Sequence, residues 1–325
     1  MSDLYPLLLK PIFHSRPWGS RDLAPIYPGF PGKDAESIGE SWLTGDECRV
    51  ANGPLAGKSL REVVQQSGRA LVGDNAPRDD QFPLLMKFLF PKEKLSVQVH
   101  PDDDGAKALG QTVGKTECWY VLAAEPGAKI GLGLKPGTTH EELERAIHEV
   151  RAESLLNWID AKPGEMYFVD AGTVHAIGAG VVVVETQQNS DTTFRLYDYG
   201  RPRELHVESG LKATKEKTRA GKVVGSKAPV LISSPWFTVE KFKWSGGEPL
   251  TMDNTSSAQC LVAASGCAVV EAPGSEPVTL ARGEAVVIPA SVRGASVRPQ
   301  WDVELFRSFV PSASTTVSNT ELVIS

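Results

Sequence analysis

The sequence is short of several things, and each shortage removes a class of function. Its four cysteines, Cys48, Cys118, Cys260 and Cys267, stand apart with no Cys-x-x-Cys pair. That excludes a disulfide framework and a thiolate zinc site and leaves four reduced packing residues. No run approaches the roughly 18 apolar residues of a membrane-spanning helix. The opening Met1-Ser2-Asp3-Leu4-Tyr5-Pro6 has no basic segment leading into an apolar core, so the expectation is no membrane, no secretory signal and a cytoplasmic location. Positive charge is also short: 34 Lys and Arg against 40 Asp and Glu give a net charge of -6. There is no basic stripe for nucleic acid, and any bound anion must be met by a local pocket.

What is present reads as a soluble, mainly β protein. At 325 residues and 41% hydrophobic, the chain can bury a sizeable core in about two domains. Pro and Gly punctuate short apolar runs from Lys10 to Gly32, which fits strands joined by turns, and Ile38 to Leu43 reads as a strand. Ser59-Leu60-Arg61-Glu62 has capping-box spacing and predicts a helix through Val64 to about Leu71. Thr139-x-x-Glu142, followed by Leu143, Ile147, Val150 and Leu155-Leu156, predicts an amphipathic helix and a further helical segment over 139–160. Asp102-Asp103-Asp104 reads as a solvated turn, because the Gly and Glu of a calcium loop do not follow. The charged stretch from Lys212 to Lys222 reads as a linker, and the remainder as a second β domain.

An internal echo supports two similar units. Gly283-Glu284-Ala285-Val286-Val287-Ile288-Pro289-Ala290 matches Gly164-Glu165-Met166-Tyr167-Phe168-Val169-Asp170-Ala171 in pattern. Eleven residues after Gly164 stands His175, whereas the same count from Gly283 reaches Gly294. Many short strands with Gly turns, repeated, argue for two jelly-roll barrels, a first domain over 1–225 carrying a site and a second over 226–325 lacking its metal ligands.

The chemistry centres on Leu95-Ser96-Val97-Gln98-Val99-His100-Pro101. Strand alternation puts Leu95, Val97 and Val99 on one face and Ser96, Gln98 and His100 on the other. Lys115 and Glu117 share a face of the next strand, and His175 opens a later one. Gln98, His100, Glu117 and His175 supply one amide oxygen, two imidazoles and one carboxylate, a donor set suited to zinc or iron. The residues alone leave open an inward hydrogen-bond network instead. Lys87, central in an apolar run, either snorkels to solvent or faces a polar pocket.

These segments, with Gly172-Thr173-Val174-His175-Ala176-Ile177-Gly178 and the run from Glu185 through Asp191 to Arg195 and Tyr197-Asp198-Tyr199-Gly200, resemble the type I mannose-6-phosphate isomerases. Lys10-Pro11 to Trp18-Gly19, Gly39-Glu40-Ser41-Trp42 and Asn52-Gly53-Pro54 extend the likeness over about the first 210 residues, in the compact bacterial form. The resemblance implies a pair of cupin-like barrels with a few short helices. It implies one zinc per chain on Gln98, His100, Glu117 and His175, and interconversion of mannose 6-phosphate and fructose 6-phosphate. The chemistry moves a proton between C1 and C2 through an enediol. The candidates for the base are Glu185, Asp191, Lys115 and a water on the metal, with Arg195 stabilising charge or merely pairing with Asp191. Lys87 and Ser96, assisted by Arg195, are implied at the phosphate. The alternatives are a sugar-phosphate-binding or regulatory barrel without turnover and an iron-dependent oxygenase on the same fold. The oligomeric state, monomer or dimer, stays open.

Overall fold

The computed structural model describes residues 4–31, 35–244, 246–252, 256–312 and 321–323. Among them strands dominate, all paired antiparallel in four main sheets and one small hairpin. An eight-stranded sheet runs in the order Ile12–Ser20, Ile38–Trp42, Leu84–Leu89, Val181–Gln188, Glu117–Ala124, Met166–Val169, Gly221–Val224, Glu321–Val323. Facing it is a five-stranded sheet ordered Leu156–Asp160, Lys129–Leu134, His175–Ile177, Val97–Val99, Phe194–Tyr197. Apolar residues of both, among them Trp119, Val121, Ile130, Leu132, Tyr167 and Ile177, form one buried cluster between them. The outer face of the five-stranded sheet is covered by the helices His140–His148 and Val207–Ala213, which join Val97, Val99, Ala176 and Leu196 in a second cluster.

The rest of the chain repeats this arrangement. A six-stranded sheet, ordered Leu7–Leu9, Ala285–Ile288, Gln259–Ser265, Val303–Phe309, Thr238–Trp244, Val230–Ser233, faces a four-stranded one across its own core. The six- and eight-stranded sheets stack back to back through Met86, Phe88, Phe168, Cys260, Val287 and Phe306. Each unit lends the other a strand: Leu7–Leu9 pairs with Ala285–Ile288, and Glu321–Val323 pairs with Gly221–Val224. Among the described residues every sheet is open at both edges.

The echo seen in the sequence is carried into the register. Met166–Val169 pairs with Tyr120 to Glu117, and Ala285–Ile288 pairs with Val262 to Gln259. Glu117-Cys118 and Gln259-Cys260 are therefore equivalent. Following the ladders outward makes Thr186 equivalent to Ser308, Glu185 to Arg307, and Lys87 to Glu240. Thr186 and Ser308 share a hydrogen bond of 3.2 Å where the two sheets meet.

Several local expectations are met and several are corrected. The helix Leu60–Ser67 begins at a complete capping box between Ser59 and Glu62. Thr139 caps the helix His140–His148, accepting from the Glu142 N–H. The helical segment continues only as a 3-10 turn, Ala152–Leu155, and residues 156–160 are instead the edge strand beside Lys129–Leu134. The Ile130 to Ile159 pairing and the buried Leu156 decide this, and neither is visible in helical spacing. Asp102 is an N-cap, its side chain accepting from Gly105 N–H, so Asp103–Ala108 is a helix where a turn was expected. Of the expected linker 212–222 only the ends are built into elements, the helix Val207–Ala213 and the strand Gly221–Val224, which pairs with Phe168 and Tyr167; residues 215–217 between them are irregular and exposed.

Candidate metal centre and substrate cavity

Two rows of side chains face each other between the eight- and five-stranded sheets. Directly opposed residues in antiparallel strands share a face. In the five-stranded sheet Gln98 opposes His175 on one side and Arg195 on the other. In the eight-stranded sheet Trp42, Lys87, Glu185 and Trp119 follow one another across four strands. Glu117 lies two residues from Trp119, so it points the same way. The alternation expected around Gln98 holds from Ser96 to His100, with Val97 and Val99 turned toward the helices. Leu95 departs from it, because it precedes the strand and packs inward with Trp18, Leu89 and Trp119.

His100, Glu117 and His175, each about 1% exposed, bring their donor atoms within 4.8 Å of one another. His175 Nε2 is 3.3 Å from Glu117 Oε1, and His100 Nε2 is 3.6 Å from Oε2. The other ring nitrogens are committed. His100 Nδ1–H donates to the Thr192 carbonyl and His175 Nδ1–H to the Thr173 carbonyl, each at 2.9 Å. A carbonyl only accepts, so both imidazoles are held with the Nε2 lone pair toward Glu117, as the outer partners of metal-binding histidines hold them. The Gln98 amide reaches the same point, its Nε2 3.1 Å from His175 Nε2, while its Oε1 accepts from Ser96 Oγ at 3.0 Å. A half-turn of the amide exchanges the two atoms and presents the oxygen. Glu117 Oε2 is buried and accepts no hydrogen bond of acceptable angle, although Lys115 Nζ stands 3.0 Å away.

The electrostatics suit a cation. Burial and then Lys115 push the His100 imidazole down to about 3, and burial lowers His175 as well. Both stay neutral, the ligand form. Burial disfavours the Glu117 carboxylate, but Lys115 and His100 outweigh it and hold that carboxyl well below its ordinary range. Burial likewise works against the Lys115 ammonium, yet Glu117, Glu185 and Asp191 raise its pKa above the usual lysine value. Two neutral imidazoles, an amide and one carboxylate fit a divalent metal.

Above this cluster lies a cavity of about 510 Å³, lined by Gln98, Lys115, Lys87, Glu185 and Arg195 among others. His100, Glu117 and His175 do not reach its surface. Glu185 is pushed up to about 7, first by burial and then by Glu117. Its Oε1 accepts from Trp119 Nε1–H at 2.9 Å, which leaves Oε2 toward Lys87 at 3.7 Å. Lys87 is buried and stands within 3.7 to 3.8 Å of Glu40, Glu185 and Asp191, with its ammonium 4.6 Å from the Trp42 ring centre. Of the two readings left open for it, the polar pocket is the one formed. Asp191 is 61% exposed and approaches Lys87, and no ion pair joins it to Arg195 among the described residues. Ser96 is buried at the cavity floor beside Gln98.

Sequence reasoning did not single out Glu40, Arg16, Arg203 or His206. Glu40 accepts from Arg16 through both oxygens and from Trp42 Nε1–H. Glu40 and Trp42 alternate on one strand face, a signal that was available. Arg203 and His206 lie on an irregular loop, where no periodicity marks which side chains turn inward.

Comparison with known proteins gives a consistent picture. Residues 7–123 match the family described as phosphomannose isomerase type I, catalytic domain. The mannose-6-phosphate isomerase of Streptococcus mutans is 34% identical over 321 residues, spanning 93% of this chain and 98% of that protein. The crystal structure of mannose 6-phosphate isomerase from Bacillus subtilis superposes with a TM-score of 0.80 at 32% identity, covering 93% of this chain and 99% of that one. A mannose 6-phosphate isomerase solved in a holo, zinc-bound form shares the fold at TM-score 0.74 and 18% identity, covering 94% and 99%.

Proposed function

The chain belongs to the type I mannose-6-phosphate isomerase family, and from that premise we propose a zinc-dependent aldose-ketose isomerase interconverting mannose 6-phosphate and fructose 6-phosphate. The observation that carries the zinc is the pair of histidines whose Nδ1–H groups are tied to carbonyls and whose Nε2 atoms face the two oxygens of the buried Glu117 carboxylate. Gln98, His100, Glu117 and His175 would hold the ion. Bound there with one anionic ligand, zinc supplies a Lewis acid for the sugar's carbonyl and hydroxyl oxygens.

The chain's own groups handle the proton. Glu185 is the proton carrier between C1 and C2, because a carboxyl poised near 7 both takes and returns a proton at neutral pH. Trp119 orients it by holding Oε1. Lys115 remains an ammonium, so it serves as a hydrogen-bond donor to the oxygen that gains charge in the enediol and not as the base. Asp191, exposed at the rim, helps hold Lys87. Arg195 contributes positive charge from the opposite sheet. The facing sheets are read as two cupin-like barrels, about 1–225 with the site and 226–325 without it. The matching registers of the paired sheets support this reading.

The test is a coupled assay of fructose 6-phosphate formation on protein stripped with a chelator and then given zinc. Activity lost on stripping and regained with zinc is expected. Full activity in the stripped protein would remove the zinc, and no turnover in any metal state would leave a sugar-phosphate-binding protein.

A further inference from the structure

Resting on that reading, we infer that the substrate's phosphate is gripped at the Arg195 edge of the cavity by Arg203 and His206, together with Arg195, and not at Lys87. The donors left free at the two ends decide it. At the Lys87 end one ammonium faces Glu40, Glu185 and Asp191, and Arg16 is already engaged by Glu40. A dianion placed there meets three carboxylates and finds both Lys87 and Arg16 already engaged. At the other end Asp198 is shared by Arg201 and Arg203, and Arg195 makes no ion pair with any described residue. Arg201 also pairs with Glu93 and does not line the cavity, so Arg195 and Arg203 are the two guanidiniums that can meet a phosphate dianion there. Glu204, the other carboxylate of this wall, is 83% exposed and also lines the cavity, its carboxylate 3.9 Å from His206 Nε2.

Free donors are aimed there. Arg195 Nε is buried and unpartnered, and its NH1 donates to the Glu204 carbonyl. Arg203 spends Nε and NH2 on Asp198, leaving NH1, and the residue lines the cavity. His206 is pinned to the edge strand twice: its N–H donates to Arg195 O at 2.7 Å, and its Nδ1 accepts from Arg195 N–H at 3.3 Å. Because Nδ1 accepts, the proton sits on Nε2, which makes the ring a donor on the cavity wall.

The spacing suits the substrate. His175, Gln98 and Arg195 lie on successive strands, and His206 adds one more place beyond the edge. With strands about 4.8 Å apart, the row spans about 14 Å. An extended open-chain hexose phosphate measures about 8 Å from C1 to phosphorus with bonds of about 1.5 Å. Its reacting end can sit above the metal residues while its phosphate lies between Arg195 and His206.

The experiment compares wild type, His206→Ala, Arg203→Lys and Lys87→Met by steady-state kinetics on mannose 6-phosphate and by calorimetric binding of inorganic phosphate, which needs no turnover. His206→Ala and Arg203→Lys are expected to raise KM about tenfold, to lower kcat less than threefold and to weaken inorganic phosphate about tenfold. Lys87→Met should leave phosphate affinity within twofold. Phosphate affinity unchanged in both loop variants, or lost only in Lys87→Met, would overturn the assignment. An inactive wild type that binds phosphate through His206 and Arg203 would refute the isomerase reading alone.

Discussion

At the scale of single residues, burial acts on Glu40, Glu117 and Glu185 in the same direction, and their neighbours separate the results. Lys87 and Arg16 outweigh burial at Glu40 and bring its carboxyl down to about 2, whereas Glu185, near the Glu117 charge, rises to about 7. The Glu40 shift is a stability statement. Its folded value lies below the unfolded one, so the contribution is complete above about pH 4.5 and is lost as pH falls toward 2; the shift corresponds to about 3 kcal/mol. Melting curves of wild type and Glu40→Gln should therefore converge over that window, and a constant difference would contradict the assignment. Glu185→Gln should lower kcat by about 10²- to 10⁴-fold with zinc content unchanged. Glu117→Gln should instead lose the metal, which elemental analysis of the dialysed protein would register.

At the scale of elements, the site depends on how closely two strands approach. Gly178 ends the segment that carries His175, and its N–H donates to Lys129 O at 2.8 Å. A Cβ at Gly178 would lie 2.3 Å from that oxygen, which is backbone and cannot swing away. Gly178→Ala should cost about 1–3 kcal/mol and displace His175, reducing zinc affinity as well as Tm. Ser59→Ala removes the capping box of the helix Leu60–Ser67, worth about 1 kcal/mol. It should lower Tm and leave zinc affinity as it was, since that helix contributes no residue to the cavity lining. Competition with a chromophoric chelator separates the two variants.

At the scale of the whole molecule, the second unit holds a charge-reversed copy of the first. Glu240 and Arg307 occupy the places of Lys87 and Glu185, and Gln259 that of Glu117. Arg307 pairs with Glu240 and donates to Gln259 Oε1 at 3.2 Å, with Glu240, Gln259 and Arg307 all buried. The copy thus retains an internal ion pair at the matching register, with an amide where the first unit has its anionic metal ligand. Arg307→Met leaves Glu240 buried and unpaired and should cost about 3–5 kcal/mol, whereas Glu240→Leu with Arg307→Met should recover most of it. Denaturant unfolding of the single and double variants measures the difference, and equal losses in both would show that the pair is not the cause.

Much of the site was legible because it is written in local patterns. Strand alternation alone turned Ser96, Gln98 and His100 toward one face, the Ser59 and Glu62 spacing marked a helix start, and ordered motifs from Lys10 to Gly200 carried the family resemblance. The helical spacing that extended to residue 160 misled, because strand pairing with Lys129–Leu134 outweighs a weak local preference. Only the tertiary structure decided that Lys87 is ringed by three carboxylates, that Glu117, Glu185 and Asp191 raise the pKa of Lys115, and that Arg203 and His206 line the same cavity as Arg195. Periodicity reports which face of its own strand a residue takes. The charge and protonation of a site depend on which strands lie beside and opposite it, and that is set by register between segments up to about a hundred residues apart.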